Sequence, residues 1–241
     1  PASARTNFGN WWRACAGEAG GWVCVRGGVG IRRFIGIGGG SEKARMLARL
    51  GLGSATLIDP DIVSNTNIGT QSYNVDQIGS YKVEALADDI RRDSPYCNVT
   101  AFPVRLEELC AEQQQHLLHA DLVLALTDNF NVQAKINRFA CHYRKDTLFA
   151  AAYPNSDGFE ITGTFPENID SGVGCHRCHL FPRYIEYAND FEAPETINSH
   201  LVQAQYLNAQ QTYLIISLLH LRGGSDFRPR RPGSAPPRVA A

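Results

Sequence analysis

Three consecutive glycines and an acidic pair carry the first chemical signal in this chain. In "FIGIGGGSEKARMLARLGLGSATLIDPDIVSNTNIGTQ", Phe34 to Gln71, an apolar run leads into Gly38-Gly39-Gly40 and then into a helical pattern. Gly36, Gly38 and Ser41 stand at the spacing G-x-G-x-x-small. Such a segment brings backbone against a phosphate. Gly36 permits a tight turn, Gly38 lets the main chain approach, and Ser41 lets helix and strand pack closely, while the first amides of the helix supply donors. Asp59 arrives about twenty residues on, at the end of the next apolar run, where a carboxylate receives ribose hydroxyls. A glycine turn without a ligand would share these residues, and the strand before and helix after are the context that favours a nucleotide.

A nicotinamide or flavin oxidoreductase explains the glycines and Asp59 but has no particular use for three later groups of residues. Asp59-Pro60-Asp61, Asn67 and Gln71 lie in one long loop, Lys82 opens the next helix, and Thr127-Asp128-Asn129 comes after a later apolar run. All fall at the carboxyl ends of predicted parallel strands or just beyond, which is where doubly wound sheets bind ligands.

The elements that must position them alternate. Strand 32–37 precedes a helix over 41–51, in which Ala44, Leu47, Ala48 and Leu50 cluster on one side. The glycines of 51–53 stop that helix by supplying a left-handed residue. A strand at 54–59 ends at Pro60, and the polar loop 60–78 precedes a helix over 79–93. Strand 98–104, helix 106–118, the buried strand "DLVLAL" (121–126), a helix over 129–144 and strand 147–153 complete the alternation. The reading is α/β, Rossmann-like and doubly wound, with a mainly parallel sheet and helices on both faces. After 155, "GFEITGTFP" is a strand that need not be parallel, and 197–222 is a long amphipathic helix. Residues 1–30, which hold all three Trp, read as an arm or cap, and the Pro- and Arg-rich 223–241 as a disordered tail.

A net charge of −1 predicts no bulk attraction to nucleic acid or membrane. No apolar run reaches about 18 residues, and the first residues lack the apolar core of a signal peptide. Seven scattered Cys suit a reducing cytoplasm better than a disulfide framework.

"GIGGGS", "LIDPDIVSNTNIGTQ", "IGSYK", "LTDN" and "CHRC", in that order, resemble the ThiF/MoeB/HesA family, the adenylating domain shared with ubiquitin-activating enzymes. The resemblance covers roughly 32–220. It implies that ATP and Mg²⁺ activate the C-terminal carboxylate of a small ubiquitin-like or sulfur-carrier protein as an acyl-adenylate, with the enzyme working as a homodimer. By position, Gly36, Gly38, Gly39 and Gly40 form the phosphate turn, with Asp59 on the ribose and Asp61 beside it. Asn67 and Gln71 resemble residues that order the ATP site, and Lys82 resembles the phosphate-contacting Lys. Asp128 resembles the Mg²⁺-linked carboxylate, with Asn129 next to it; Lys82 and Asp128 are the expected catalytic pair.

Three departures stand out. The family's loop N-x-x-R-Q is here Asn67-Ile68-Gly69-Thr70-Gln71, so a triphosphate-stabilising Arg is replaced by Thr70; Arg5 and Arg13 are the candidates to substitute for it, in cis or from a partner subunit. Alternatively, the fold persists as a binding module without fast catalysis. Cys175 and Cys178 have half-site spacing for Zn²⁺, but no Cys comes after Cys178, so substoichiometric zinc or none is expected. The loop near 185–197 has no Cys for a thioester. Cys15, Cys24, Cys97, Cys110 and Cys141 and the remaining histidines carry no spacing signal. On the last helix, Tyr206, Leu207, Tyr213, Leu214, Ile216 and Leu218 read as core or dimer interface.

Overall fold

The computed structural model describes residues 33–37, 40–127, 129–152, 159–188 and 201–222. The arm and tail expected at 1–30 and 223–241 lie outside them. Strands β1 (Arg33–Ile37), β2 (Ser54–Ile58), β3 (Asn98–Phe102), β4 (Leu122–Ala125), β5 (Thr147–Ala152) and β6 (Phe159–Thr164) form one sheet in the order β3-β2-β1-β4-β5-β6. The first five are parallel and β6 runs antiparallel to β5. The order reverses between β1 and β4, so the crevice of a doubly wound sheet opens at the carboxyl end of β1. The expected fold class is the observed one.

The strand pattern explains why both faces are covered. In β4, Leu122 and Leu124 join one core cluster and Val123 and Ala125 the other. Side chains alternate across a sheet, so an unbroken apolar run must bury both of its faces. Helices α1 (Ser41–Arg49) and α3 (Lys82–Asp93) cover the first face, the latter through Val83, Leu86, Ala87 and Ile90. Leu117 of α4 (Ala111–Leu118) and Ile136 of α5 (Phe130–Tyr143) cover the second.

Helix α1 ends as its glycine predicts. Gly51 takes φ +97°, its N–H donates to Ala48 O at 3.0 Å, and the N–H of Leu52 donates to Leu47 O at 3.3 Å. These are the two bonds of a Schellman closure. Elsewhere the boundaries differ. The loop 60–78 contains the short helix α2 (Asn65–Ile68) and a 3-10 turn at Val75–Gln77. Helix 79–93 starts only at Lys82, because Gly79 takes φ +92°. The stretch 106–118 splits into a 3-10 turn at Leu106–Glu108 and α4. Short helices α6 (Pro166–Asp170), α7 (His176–His179) and α8 (Phe181–Ala188) come after β6, and α9 (Leu201–Arg222) closes the described fold. On α9, Ile215 is buried and Ile216 and Leu218 pack on the core, whereas Tyr206, Tyr213 and Leu214 face outward, Tyr206 at 62 % exposure. No helix among the described residues is long and apolar enough to cross a membrane.

Candidate functional site

The crevice is built from the ends of β1, β2 and β4 and the starts of α1 and α3. Gly36 is paired in register with Leu57 on one side and Leu124 on the other, so it is a strand residue and the turn begins beyond Ile37. Gly38 and Gly39 lie outside the described residues. Gly40 packs tightly on the neighbouring strand's end: a Cβ there would stand 2.0 Å from Leu126 Cδ1. Ser41, the expected packing position, is buried beside it.

Asp59 comes directly after the last residue of β2 and is buried. Its carboxylate accepts the N–H of Asp61 at 2.9 Å, which turns the chain sharply. Asp61 then holds the start of α3 twice. Its carbonyl accepts the N–H of Lys82 at 2.8 Å, and its carboxylate pairs with Lys82 Nζ at 2.9 Å. Lys82 is largely buried and Asp61 largely exposed, so the ammonium is held at the crevice by a carboxylate that solvent can reach.

The loop between them is ordered from within. Asn67 Oδ1 accepts the N–H of Ser64 at 2.9 Å and its hydroxyl at 3.0 Å. The hydroxyl of Thr70 donates to Thr66 O at 3.0 Å, satisfying a carbonyl at the end of α2. The N–H of Gln71 donates to Asn67 O at 2.7 Å, while Gln71 Oε1 is buried without a hydrogen-bond partner. Ser72 donates to Glu42 in the first turn of α1. Tyr73, which carries no motif in the sequence, is a central positioning residue. Its phenol bonds Ser41 at the start of α1 and reaches the carbonyl of Lys82 at 3.4 Å. Burial, reinforced by Asp59 nearby, pushes the phenol far above its ordinary range. The only hint in sequence is a large aromatic inside a polar loop.

On the other side, the N–H of Asn129 donates to Thr127 Oγ1 at 3.1 Å, and Asn129 Oδ1 caps α5 by accepting the N–H of Val132 at 3.1 Å. Asp128 lies outside the described residues. The fold therefore gathers Gly40, Asp59, Asp61, Gln71, Lys82 and Asn129 at one end of the sheet. A buried carboxylate, an ammonium and an orphaned acceptor suit the ribose, phosphates and donor groups of a nucleotide. A groove of about 370 Å³ lined by Thr56, Asn98, Glu112, His116 and His119 lies at the amino ends of β2 and β3, away from this crevice.

Lys43 is a second residue without a signal in the sequence. It is 6 % exposed and donates to Asn208 of α9. Burial lowers its ammonium to about 8, against the opposing pull of Glu42. Below pH 8 the burial cost is fully present. From about 8 to 10.5 the unfolded chain holds more protons than the folded one, so this cost fades as pH rises. Lys43→Met is expected to stabilise the protein at pH 7 by about 1–3 kcal/mol, with the advantage shrinking toward pH 10. Urea unfolding of both proteins at the two pH values checks this; a wild type more stable at pH 7 would show that the Asn208 bond outweighs burial.

The zinc expectation meets a donor set that does not fit. Cys175 and Cys178 stand with sulfurs 3.8 Å apart, but no group of three or more His, Cys, Asp or Glu among the described residues could hold a metal ion. His176 between them is fully buried and stacks on Phe149 at 3.9 Å. Its Nδ1 meets Thr162 Oγ1 at 2.6 Å. Burial, then Arg183 and His179, lowers it to about 4.

Comparison with known proteins bears on the family and the fold. The chain is similar to the molybdopterin-synthase adenylyltransferase of Escherichia coli (strain K12), 32 % identical over 147 residues, 60 % of this chain and 56 % of that protein. It is also similar to ubiquitin-like modifier-activating enzyme 5 of Drosophila virilis, 35 % identical over 120 residues, 45 % of this chain and 30 % of that one. The chain thus spans about half the length, or less, of these relatives. Among solved structures, E. coli MccB with ATP shares the fold at TM-score 0.62 and 18 % identity, over 81 % of this chain and 57 % of that one. The ThiF family pattern matches residues 34–210, most of the chain, and this protein belongs to the ThiF family.

Proposed function

We propose that this chain adenylates the C-terminal carboxylate of a small ubiquitin-like or sulfur-carrier protein, or of a peptide, using ATP. The observation that carries this reading is the joining of Asp59 and Lys82 at one crevice, through the Asp61 ion pair and through Tyr73. In this reading Asp59 receives the ribose hydroxyls, and the close packing of Gly40 on Leu126 fixes where α1 starts beside the phosphates. Lys82 exchanges its pairing with Asp61 for the phosphates. The carboxylate oxygen of the partner attacks the α-phosphorus and pyrophosphate leaves. Asp128 would hold Mg²⁺, which neutralises the triphosphate as charge moves onto the leaving group. The names of the relatives, an adenylyltransferase for molybdopterin synthase and a ubiquitin-like modifier-activating enzyme, support the substrate class. Residues 31–222 constitute the adenylating domain.

Calorimetric titration with Mg·ATP and with NAD tests the nucleotide. Binding of ATP alone supports the reading; binding of NAD alone makes the protein an oxidoreductase. One observation favours a second reading, a binding module that keeps the fold without fast catalysis: Thr70 puts a hydroxyl bonded to Thr66 of α2 where the family resemblance implies a guanidinium.

A cytoplasmic homodimer is part of the proposal. Val202, Tyr206, Tyr213 and Leu214 leave an apolar strip of α9 exposed. Light scattering at micromolar concentration should give twice the chain mass, and a monomer would contradict it.

A further inference from the structure

We propose that Cys175 and Cys178 are a dithiol–disulfide pair, open to reversible oxidation by low-molecular-weight disulfides, and not half of a zinc site. Five observations converge on it. The two sulfurs are 3.8 Å apart, and a disulfide closes that distance to about 2.05 Å with small side-chain rotations. Space is reserved for this arrangement: Gly174 takes φ +104°, and a Cβ there would stand 2.7 Å from Cys178 Cβ.

A buried hydrogen-bond chain aims a donor at Cys175. The N–H of His176 donates to Thr164 Oγ1 at 3.0 Å, and Thr164 Oγ1 donates to Asn137 Oδ1 at 2.6 Å. With its oxygen engaged, Asn137 turns its Nδ2 toward Cys175 Sγ at 3.5 Å. A sulfur that accepts such a bond is stabilised as thiolate, the attacking form in disulfide exchange. Access is divided to match, with Cys178 exposed and Cys175 half-buried. Finally, among the described residues the metal alternative lacks ligands. Cys141 is a third thiol, bonded both to Asn137 Oδ1 at 4.0 Å and to Cys175, yet among the described residues the group still cannot hold an ion.

The steps balance with an external disulfide RSSR. The exposed Cys178 thiolate attacks one sulfur, forming a mixed disulfide and releasing RS⁻. Cys175 thiolate then attacks Cys178 Sγ, the mixed bond breaks, and a second RS⁻ leaves. RSSR is reduced by two electrons, the pair is oxidised by two, and the two thiol protons leave with the two RS⁻ as RSH.

Purified reduced protein treated with oxidised glutathione, then alkylated and weighed intact, tests this. The expected result is the loss of alkylation at both Cys175 and Cys178 with no glutathione retained on either, and a peptide map that links Cys175 to Cys178. Exposed Cys110 serves as the unpaired control and should keep its glutathione adduct. In Cys175→Ser one glutathione should remain on Cys178, while Cys141→Ser should close the bond as the wild type does. Both cysteines staying alkylatable, a Cys141–Cys175 link, or one tightly held zinc per chain by elemental analysis would each overturn the proposal.

Discussion

Lys82→Ala is expected to lower the rate of ATP–pyrophosphate exchange by roughly 10²- to 10³-fold, the cost of removing one preorganised donor from a transition-state charge. Lys82 is the first residue of α3 and is largely buried, yet its Nζ meets Asp61 2.9 Å away at the crevice. Substitution removes the positive charge and leaves Asp61 facing the phosphates, so Mg·ATP affinity should fall as well. Stability should change little, by about 1 kcal/mol or less, because Asp61 is solvent-accessible and such pairs contribute little. A variant with unchanged melting and unchanged exchange would remove Lys82 from the site.

Thr70→Arg is expected to raise basal exchange at least about tenfold, since arginines that stabilise phosphoryl charge contribute far more than that in related chemistry. The cost in the loop is small. The variant gives up the bond from Thr70 Oγ1 to Thr66 O, a carbonyl near solvent at the end of a short helix. Gly69 beside it has open space around it, so the loop can adjust to a longer side chain. Wild-type activity that is weak alone and rises with a carboxylate partner, together with a faster Thr70→Arg variant, assigns the limit to the missing guanidinium. An unaltered basal rate assigns it elsewhere.

Periodicity carried most of this fold. Alternating helices and strands imply a parallel sheet, and the unbroken "DLVLAL" run implies a strand covered on both faces, as β4 is. Asp59 and Lys82 were legible because each stands at the end of an element whose boundary is marked, by Pro60 and by Gly79. The residues that were not legible depend on partners distant in the chain. Lys43 reads as a surface charge until Asn208, 165 residues away, covers it. Tyr73 acquires its role only when α1 and α3 start side by side. Cys141 looks incidental until Asn137 sets it near Cys175. Gly40 is tightly packed as well as Ser41, because Leu126, just past the end of β4, fills the space a side chain would need.

The most direct test of the adenylation reading is pyrophosphate exchange into ATP, measured with the protein alone and with small proteins ending in Gly-Gly. The account predicts exchange that depends on the carboxylate partner and disappears in Lys82→Ala. ATP binding with no exchange in any combination, Thr70→Arg included, would contradict it and leave a nucleotide-binding module in its place.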